Sequence, residues 1–423
     1  MVRERAGARC VLALCTSAIV LLLVLPFAPP VLAATPSAQQ IDDYLKRVEA
    51  ERGLDAAVLV VFDGKVLVRS GYGTANDATA MPFTAQTVVG IASLSKQFTA
   101  AAIMRLVDDG RLTVDARLGD LLPGVPADKA GITVHQLLTH TAGLQSDYMK
   151  SDLEPLTKHD ALRRIFAAPL VAPPGTEFNY ANSGYTLLAA IVEQVSGSGY
   201  YEFLRREFFD PFKMNNTGDW ADPRFAPLPV SAGYMNGNSC GPVDKLPGPY
   251  WTVAGNGDIL STVDDMYRWY QRLHGGKVLS PASTRAMFTS YTTTGGTDIE
   301  YGYGWEVSRR AGLGRLITHN GAGITGNSIL SDYLDQRLII IILGNRVTYR
   351  TLWGVPLQFG LPADETTAAL AQAVATGDYG AMPSTTWSIW PWLAAAGAVL
   401  AALVAAIVWG VKRRRRRRRR GLA

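Results

Sequence analysis

Ser93 precedes Lys96 by three positions in Ser93-Leu94-Ser95-Lys96, just ahead of the apolar run Phe98-Thr99-Ala100-Ala101-Ala102-Ile103-Met104. The run predicts a helix over 93–107 that stops near Gly110. Residues three apart share a helix face, so one rigid turn aims a hydroxyl and an amine into the same cleft. A serine hydroxyl is a weak nucleophile until a base takes its proton, and a partly desolvated lysine is such a base. The chemistry on offer is acyl transfer through a covalent serine intermediate. Four residues alone also describe a solvated Ser–Lys pair on a helix, so the reading depends on partners elsewhere in the chain.

Such a site also needs proton-transfer groups and donors for an oxyanion. Tyr180-Ala181-Asn182 supplies the first candidates. A tyrosinate beside an ammonium can accept a proton and return it to a leaving group, and an asparagine can hold a substrate carbonyl. Tyr234-Met235-Asn236 has the same spacing but lies between Gly233 and Gly237, where a turn explains it without chemistry. His319-Asn320-Gly321 follows the strand-like residues 316–318. A cationic or hydrogen-bonding side chain there lines a cleft wall, and the glycine lets substrate approach the backbone. The Ala322 N–H then joins that of Ser93 as an oxyanion hole, where each donor contributes roughly 3–4 kcal/mol. The rival His274-Gly275-Gly276 reads as a helix C-cap.

Other chemistries find little support. The five histidines, His135, His140, His159, His274 and His319, form no His-x-x-x-His pair and join no cysteine cluster. No metal or cofactor is expected, and no phosphate loop or dinucleotide fingerprint is present. His140, after a helix, reads as a structural histidine. Cys10 and Cys15 lie in the N-terminal apolar stretch, which leaves Cys240 as a structural thiol in a turn-like segment.

The elements that position these groups are legible in outline. Residues 40–52 read as an amphipathic helix with Ile41, Tyr44, Leu45 and Val48 on one face. Residues 56–62 and 66–68 are apolar strands joined by the hairpin signal Asp63-Gly64. A helix starts near Val134, and residues 160–209 are mainly helical. Residues 302–307, 316–318 and 338–343 read as strands. Strands early and late with helices between predict an α+β fold: one sheet built from both chain ends, with an inserted helical lobe.

Taken together, the pieces resemble the serine β-lactamase and penicillin-binding-protein superfamily, whose Ser-x-x-Lys motif matches Ser93 to Lys96. The resemblance is to the class C β-lactamase-related branch, which includes D-Ala-D-Ala carboxypeptidases, D-amino-acid peptidases and carboxylesterases. It is carried by residues 91–99, 132–144, 174–176 with 178–185, 254–265, 301–305 and 319–321, in order over roughly 37–346. It implies an antiparallel sheet flanked by helices, with the active site between sheet and helical lobe. It implies acylation of Ser93 and then hydrolysis, with Lys96 and Tyr180 sharing the proton work. Asn182, His319 and Gly321 would contact substrate. One departure matters: His319-Asn320-Gly321 stands where class C β-lactamases have Lys-Thr-Gly. The permanent charge that would hold a β-lactam carboxylate is missing, which tilts the reading toward an amide or ester substrate. A β-lactamase, or a wall-peptide-binding protein that is acylated without turnover, is the alternative.

Charge and hydropathy place the body outside the cytoplasm. The net charge of +5 misleads, because Lys412 and Arg413–Arg420 supply nine positive charges in one run. Without them 32 basic residues face 36 acidic ones, which speaks against a nucleic-acid partner. Residues 1–33 have a basic start, an apolar core and the ending Val31-Leu32-Ala33, as in a signal peptide. The apolar core is long enough for an uncleaved signal anchor as well. Residues 389–411 are almost wholly apolar, and at ~1.5 Å per residue they reach roughly 35 Å, enough for a ~30 Å hydrocarbon core. Trp387, Trp390, Trp392 and Trp409 flank that stretch, where interfacial aromatics belong. The basic run 412–423 then stays inside as a cytoplasmic tail, although apolar-then-basic ends also serve as processed sorting signals. The expected order is leader 1–33, catalytic domain 34–361, linker 362–388 opening on a short helix, span 389–411 and tail 412–423. The expected partners are a small-molecule or peptide substrate, possible cell-wall material among them, and the membrane.

Overall fold

The computed structural model describes residues 35–383, except 243–244, 246–247, 249, 295–297, 353–354 and 359–361, with side chains described outside 349–362. The expected leader, span and basic tail lie outside the described residues. Among the described residues no helix is long and apolar enough to cross a membrane.

Helix α1 (Ala38–Arg52) buries Ile41, Tyr44, Leu45 and Val48, the face its periodicity marks, and ends at Gly53 in the left-handed conformation. Strands β1 (Ala56–Phe62) and β2 (Lys65–Tyr72) follow as an antiparallel hairpin. Its turn residues Asp63 and Gly64 have φ of 50° and 74°, the left-handed pair that a tight hairpin turn requires. The chain then leaves the sheet for a helical lobe that contains α2 (Ser95–Asp108), α3 (Val134–Leu138), α4 (Asn182–Ser196) and α5 (Val263–His274). It returns as β3 (Thr292–Thr293), β4 (Ile299–Tyr301), β5 (Glu306–Arg310), β6 (Gly314–Gly323), β7 (Gly326–Tyr333) and β8 (Leu338–Gly344). The last helix among the described residues is α6 (Pro362–Thr376).

The sheet has eight strands in the order β3-β4-β5-β6-β7-β8-β1-β2. Every neighbouring pair is antiparallel. β1 pairs with β8 in the register Val58↔Ile342 and Val60↔Ile340, so the two ends of the domain meet in mid-sheet. Successive side chains on a strand point to opposite faces, and both strands are apolar on both faces, so two cores form. Val58, Val60, Ile340 and Ile342 pack under α1 and α6 with Leu45, Leu370 and Val374. Ala57, Leu59, Ile341 and Leu343 pack on the lobe side with Phe98, Ile103, Leu187 and Trp269. Each large apolar side chain fully buried this way contributes roughly 1.5–3 kcal/mol.

Helix α2 runs through the lobe-side core and is buried on nearly all sides, from Ser95 to Met104. A helix so enclosed must satisfy its polar side chains locally. Trp269 Nε1 donates to Gln97 Oε1 at 3.2 Å, and Thr99 Oγ1 donates to the Gly255 carbonyl at 2.6 Å.

Three local expectations need correction. Ser93 lies in a short 3₁₀ turn, Ala92–Leu94, and α2 begins only at Ser95. The strand expected from residue 302 begins at Glu306, because Gly302 N–H donates to the Trp305 carbonyl at 2.7 Å and closes a turn. Tyr234 stands in a strand, Ala232–Met235, whose turn follows at Asn236 and Gly237. The short helix expected at the start of the linker segment is α6, and its Leu370, Ala371 and Val374 belong to the core beneath the sheet.

Candidate active site

The structure brings Ser93, Lys96, Tyr180, Asn182, His319 and Gly321 together where the lobe meets β6. Ser93 owes its place to a sharp bend. Ala92 has φ of 46°, a conformation that costs a non-glycine residue roughly 1–2 kcal/mol. The bend turns Ser93 out of the core, and Ser93 is half-buried while Leu94, Ser95 and Lys96 are fully enclosed.

Lys96 Nζ has three acceptors around it: Ser93 Oγ at 3.0 Å, Asn182 Oδ1 at 2.9 Å and the Asn256 carbonyl at 3.0 Å. It also lies 4.7 Å from the centre of the Tyr180 ring. Burial pulls the amine down to about 7, while the carboxylates of Asp147 and Asp152 pull it partly back up. Lys96 can thus give up its proton near neutrality and still reach the hydroxyl it would activate. Asn182, the first residue of α4, anchors this amine and donates through Nδ2 to Asp147 Oδ1 at 3.1 Å.

Tyr180 is half-buried beside this pair. Burial raises its phenol well above the usual range, and the hydroxyl of Ser93 offsets part of the rise. The tyrosinate considered from sequence is therefore opposed by the site. Tyr180 holds its proton, which suits a donor, and Lys96 is the better base. The rival Tyr234 lies elsewhere: its hydroxyl accepts from Asp77 N–H at 2.7 Å and its ring sits under Arg346 at 4.1 Å. His274 is the last residue of α5, packed on Tyr270 and Phe288, and Gly275 after it is the cap.

Strand β6 forms the opposite wall. A Cβ built on Gly321 would come within 2.8 Å of the Ser93 nitrogen and collide with the Ile91 carbonyl. Glycine is required here, where β6 passes against the Ser93 backbone, and the half-buried Ala322 follows it in the strand. His319 is nearly sealed, with 1% of its surface exposed. Its Nδ1 lies 2.6 Å from the Asn320 carbonyl and its Nε2 lies 2.9 Å from the Tyr301 hydroxyl. Burial, and then the nearby Lys96 charge, pulls it down to about 3. The cation considered from sequence is therefore a neutral ring: Nδ1–H donates to Asn320, and Nε2 accepts from Tyr301. Both nitrogens are occupied within the protein, so His319 shapes the wall of the cleft without a free donor in this arrangement.

Several residues at the site carried no signal in the sequence. Asn256 acts through its backbone carbonyl, which no residue type advertises. Asp147 and Asp152 lie in an irregular stretch far from Lys96 in the chain. His140, read as structural, holds Ala181 N–H with Nδ1 at 3.0 Å and lies against the Tyr180 ring. Among the described residues no group of three or more His, Cys, Asp or Glu could hold a metal ion.

Comparison with known proteins bears on the family and the fold. The chain is similar to a penicillin-binding protein of Bacillus subtilis, 28% identical over 317 residues that make up 69% of this chain and 68% of that one. It is 27% identical to a D-aminopeptidase of Gluconobacter oxydans over 306 residues, 70% of this chain and 56% of that protein. The crystal structure of a D-amino acid amidase from Ochrobactrum anthropi, complexed with L-phenylalanine, superposes with a TM-score of 0.63 at 25% identity, covering 73% of this chain and 91% of that one. The family model described as Beta-lactamase matches residues 41–352, and with that span of the chain matched, the protein belongs to the Beta-lactamase family.

Proposed function

We propose that this chain is a serine hydrolase that cleaves an amide or ester through an acyl-enzyme on Ser93. The observation that carries the reading is the 3.0 Å contact between Lys96 Nζ and Ser93 Oγ, with the amine pulled to about 7 by burial. Lys96 takes the Ser93 proton as Oγ attacks the carbonyl carbon. The N–H groups of Ser93 and Ala322 receive the oxyanion. The proton passes by way of Tyr180 to the leaving amine or alkoxide as its bond to carbon breaks. Water then repeats the sequence on the ester, and Ser93 recovers its proton. Asn182 keeps Lys96 in place and presents its amide at the cleft.

Two of the similar proteins are named for D-amino acid chemistry, a D-aminopeptidase and a D-amino acid amidase, and this favours an amide substrate. The neutral ring of His319 leaves the β6 wall without a cation for a β-lactam carboxylate. In our reading the leader 1–33 exports the domain, and the apolar segment 389–411 with the basic residues 412–420 holds it at the outer face of the membrane.

The test is intact-protein and peptide mass spectrometry after treatment with a fluorophosphonate, beside a panel of a D-amino acid amide, a p-nitrophenyl ester, a D-Ala-D-Ala peptide and nitrocefin. One adduct on Ser93 and steady turnover of an amide or ester are expected. Full activity in Ser93→Ala would sink the proposal, and a long-lived adduct without product would replace it with the non-turnover reading. Membrane fractionation with protease treatment of intact cells tests the tether, since the domain should pellet with membranes and be cut from outside.

A further inference from the structure

One histidine encloses Tyr180 from both sides along the chain. The His140 carbonyl accepts from Asn179 N–H at 2.8 Å, and His140 Nδ1 accepts from Ala181 N–H at 3.0 Å. These are the two neighbours of Tyr180. Between them the imidazole lies over the Tyr180 ring, with centroids 4.3 Å apart and planes 33° apart. The stretch after His140 continues the clamp: Asn179 Nδ2 donates to the Leu144 carbonyl at 2.5 Å, and Ser183 Oγ donates to the Gln145 carbonyl at 2.6 Å.

His140 holds this place at a cost. Its φ is 57°, in the left-handed region that a residue with a Cβ rarely occupies. Nδ1 is an acceptor, so the proton of the neutral ring sits on Nε2, and that buried group has no hydrogen-bond partner. An unmade buried hydrogen bond and a disfavoured backbone both oppose folding. Glycine would relieve the backbone strain and a small apolar side chain the unmade hydrogen bond. Neither would hold Ala181 N–H.

We propose that His140 is the positioning residue for Tyr180, fixing the phenol between Ser93 and the leaving group through its bond to Ala181. Its effect on a reaction rests on the serine-hydrolase reading above, while the geometry it fixes is measurable without any reaction. His140 touches no reacting atom.

Three variants in the full chain separate the contributions. His140→Asn keeps an acceptor near the Nδ1 position and tolerates the left-handed backbone. His140→Phe keeps the ring but has no acceptor, and His140→Gly relieves the backbone but has neither. We expect His140→Asn to stay within about fivefold of wild-type kcat, and the other two to lose roughly 30- to 100-fold in kcat at nearly unchanged KM, the loss typical of a small misplacement. In a Tyr180→Phe background the loss should shrink to less than about twofold, because positioning acts only through the phenol. Equal losses in both backgrounds, or wild-type kcat in His140→Phe and His140→Gly, would overturn the proposal. The ¹⁹F spectrum of 3-fluorotyrosine at position 180 decides the geometry alone: wild type and His140→Asn should share one resonance, and His140→Gly should shift or broaden it. An unchanged resonance in His140→Gly overturns the positioning role even in a protein without activity. A shifted resonance in His140→Gly, beside a wild type that hydrolyses nothing, overturns only the hydrolase reading.

Discussion

Gly321 and Ser93 touch backbone to backbone: a Cβ on Gly321 would lie 2.8 Å from the Ser93 nitrogen. The N–H of Ser93 and the strand that carries Ala322 are held together by the absence of one carbon. Gly321→Ala must push β6 away from the 3₁₀ turn, since the obstructing atoms are backbone. We expect a loss of roughly 10²–10³ in kcat, the size seen when an oxyanion donor is removed. Steady-state kinetics with circular dichroism checks it, and the fold should persist.

The pH dependence follows from Lys96. As the base it must be unprotonated, so activity should rise as pH increases through about 7, the acid limb of kcat/KM. Asp147 and Asp152 favour the ammonium. Neutralising either one removes that support, so Asp147→Asn and Asp152→Asn should move the limb to lower pH. A limb that stays in place, or moves up, would remove Lys96 from the role of base.

Tyr180→Phe should separate binding from proton transfer. Burial keeps the phenol protonated, so its loss removes a donor to the leaving group and little of the substrate contact. We expect kcat to fall roughly 10²–10⁴-fold. Substrates with good leaving groups, such as p-nitrophenyl esters, should lose less than amides, because their leaving group needs no proton. Paired kinetics on an ester and an amide measure the difference.

The boundary of the folded domain is also testable. α6 contributes Leu370, Ala371 and Val374 to the core under the sheet, and Asp364 Oδ1 accepts from Asn320 Nδ2 at 3.2 Å, next to His319. A chain ending at residue 361 loses these groups, and each large buried side chain removed costs on the order of 2–5 kcal/mol. It should aggregate or melt at least 10 °C below a chain ending at 383, a drop consistent with a loss of several kcal/mol. Differential scanning calorimetry on the two chains gives the comparison.

Much of this was written locally in the chain. Spacing alone paired Ser93 with Lys96, the Asp63-Gly64 turn announced its hairpin, and the two-sided apolar run 338–343 announced a central strand. These signals survive because they depend on periodicity and on backbone preferences that neighbouring residues set. The chemistry of the side chains was decided elsewhere. The Lys96 amine is pulled down toward neutrality only because the lobe buries it, His319 is a neutral wall only because burial beside Lys96 disfavours its charge, and His140 meets Tyr180 only because residues 40 positions apart fold side by side. Dielectric, protonation and hydrogen-bond partners come from groups distant in sequence, so residue types and their order determined which atoms were available, and tertiary packing alone decided what charge they carry and where they point.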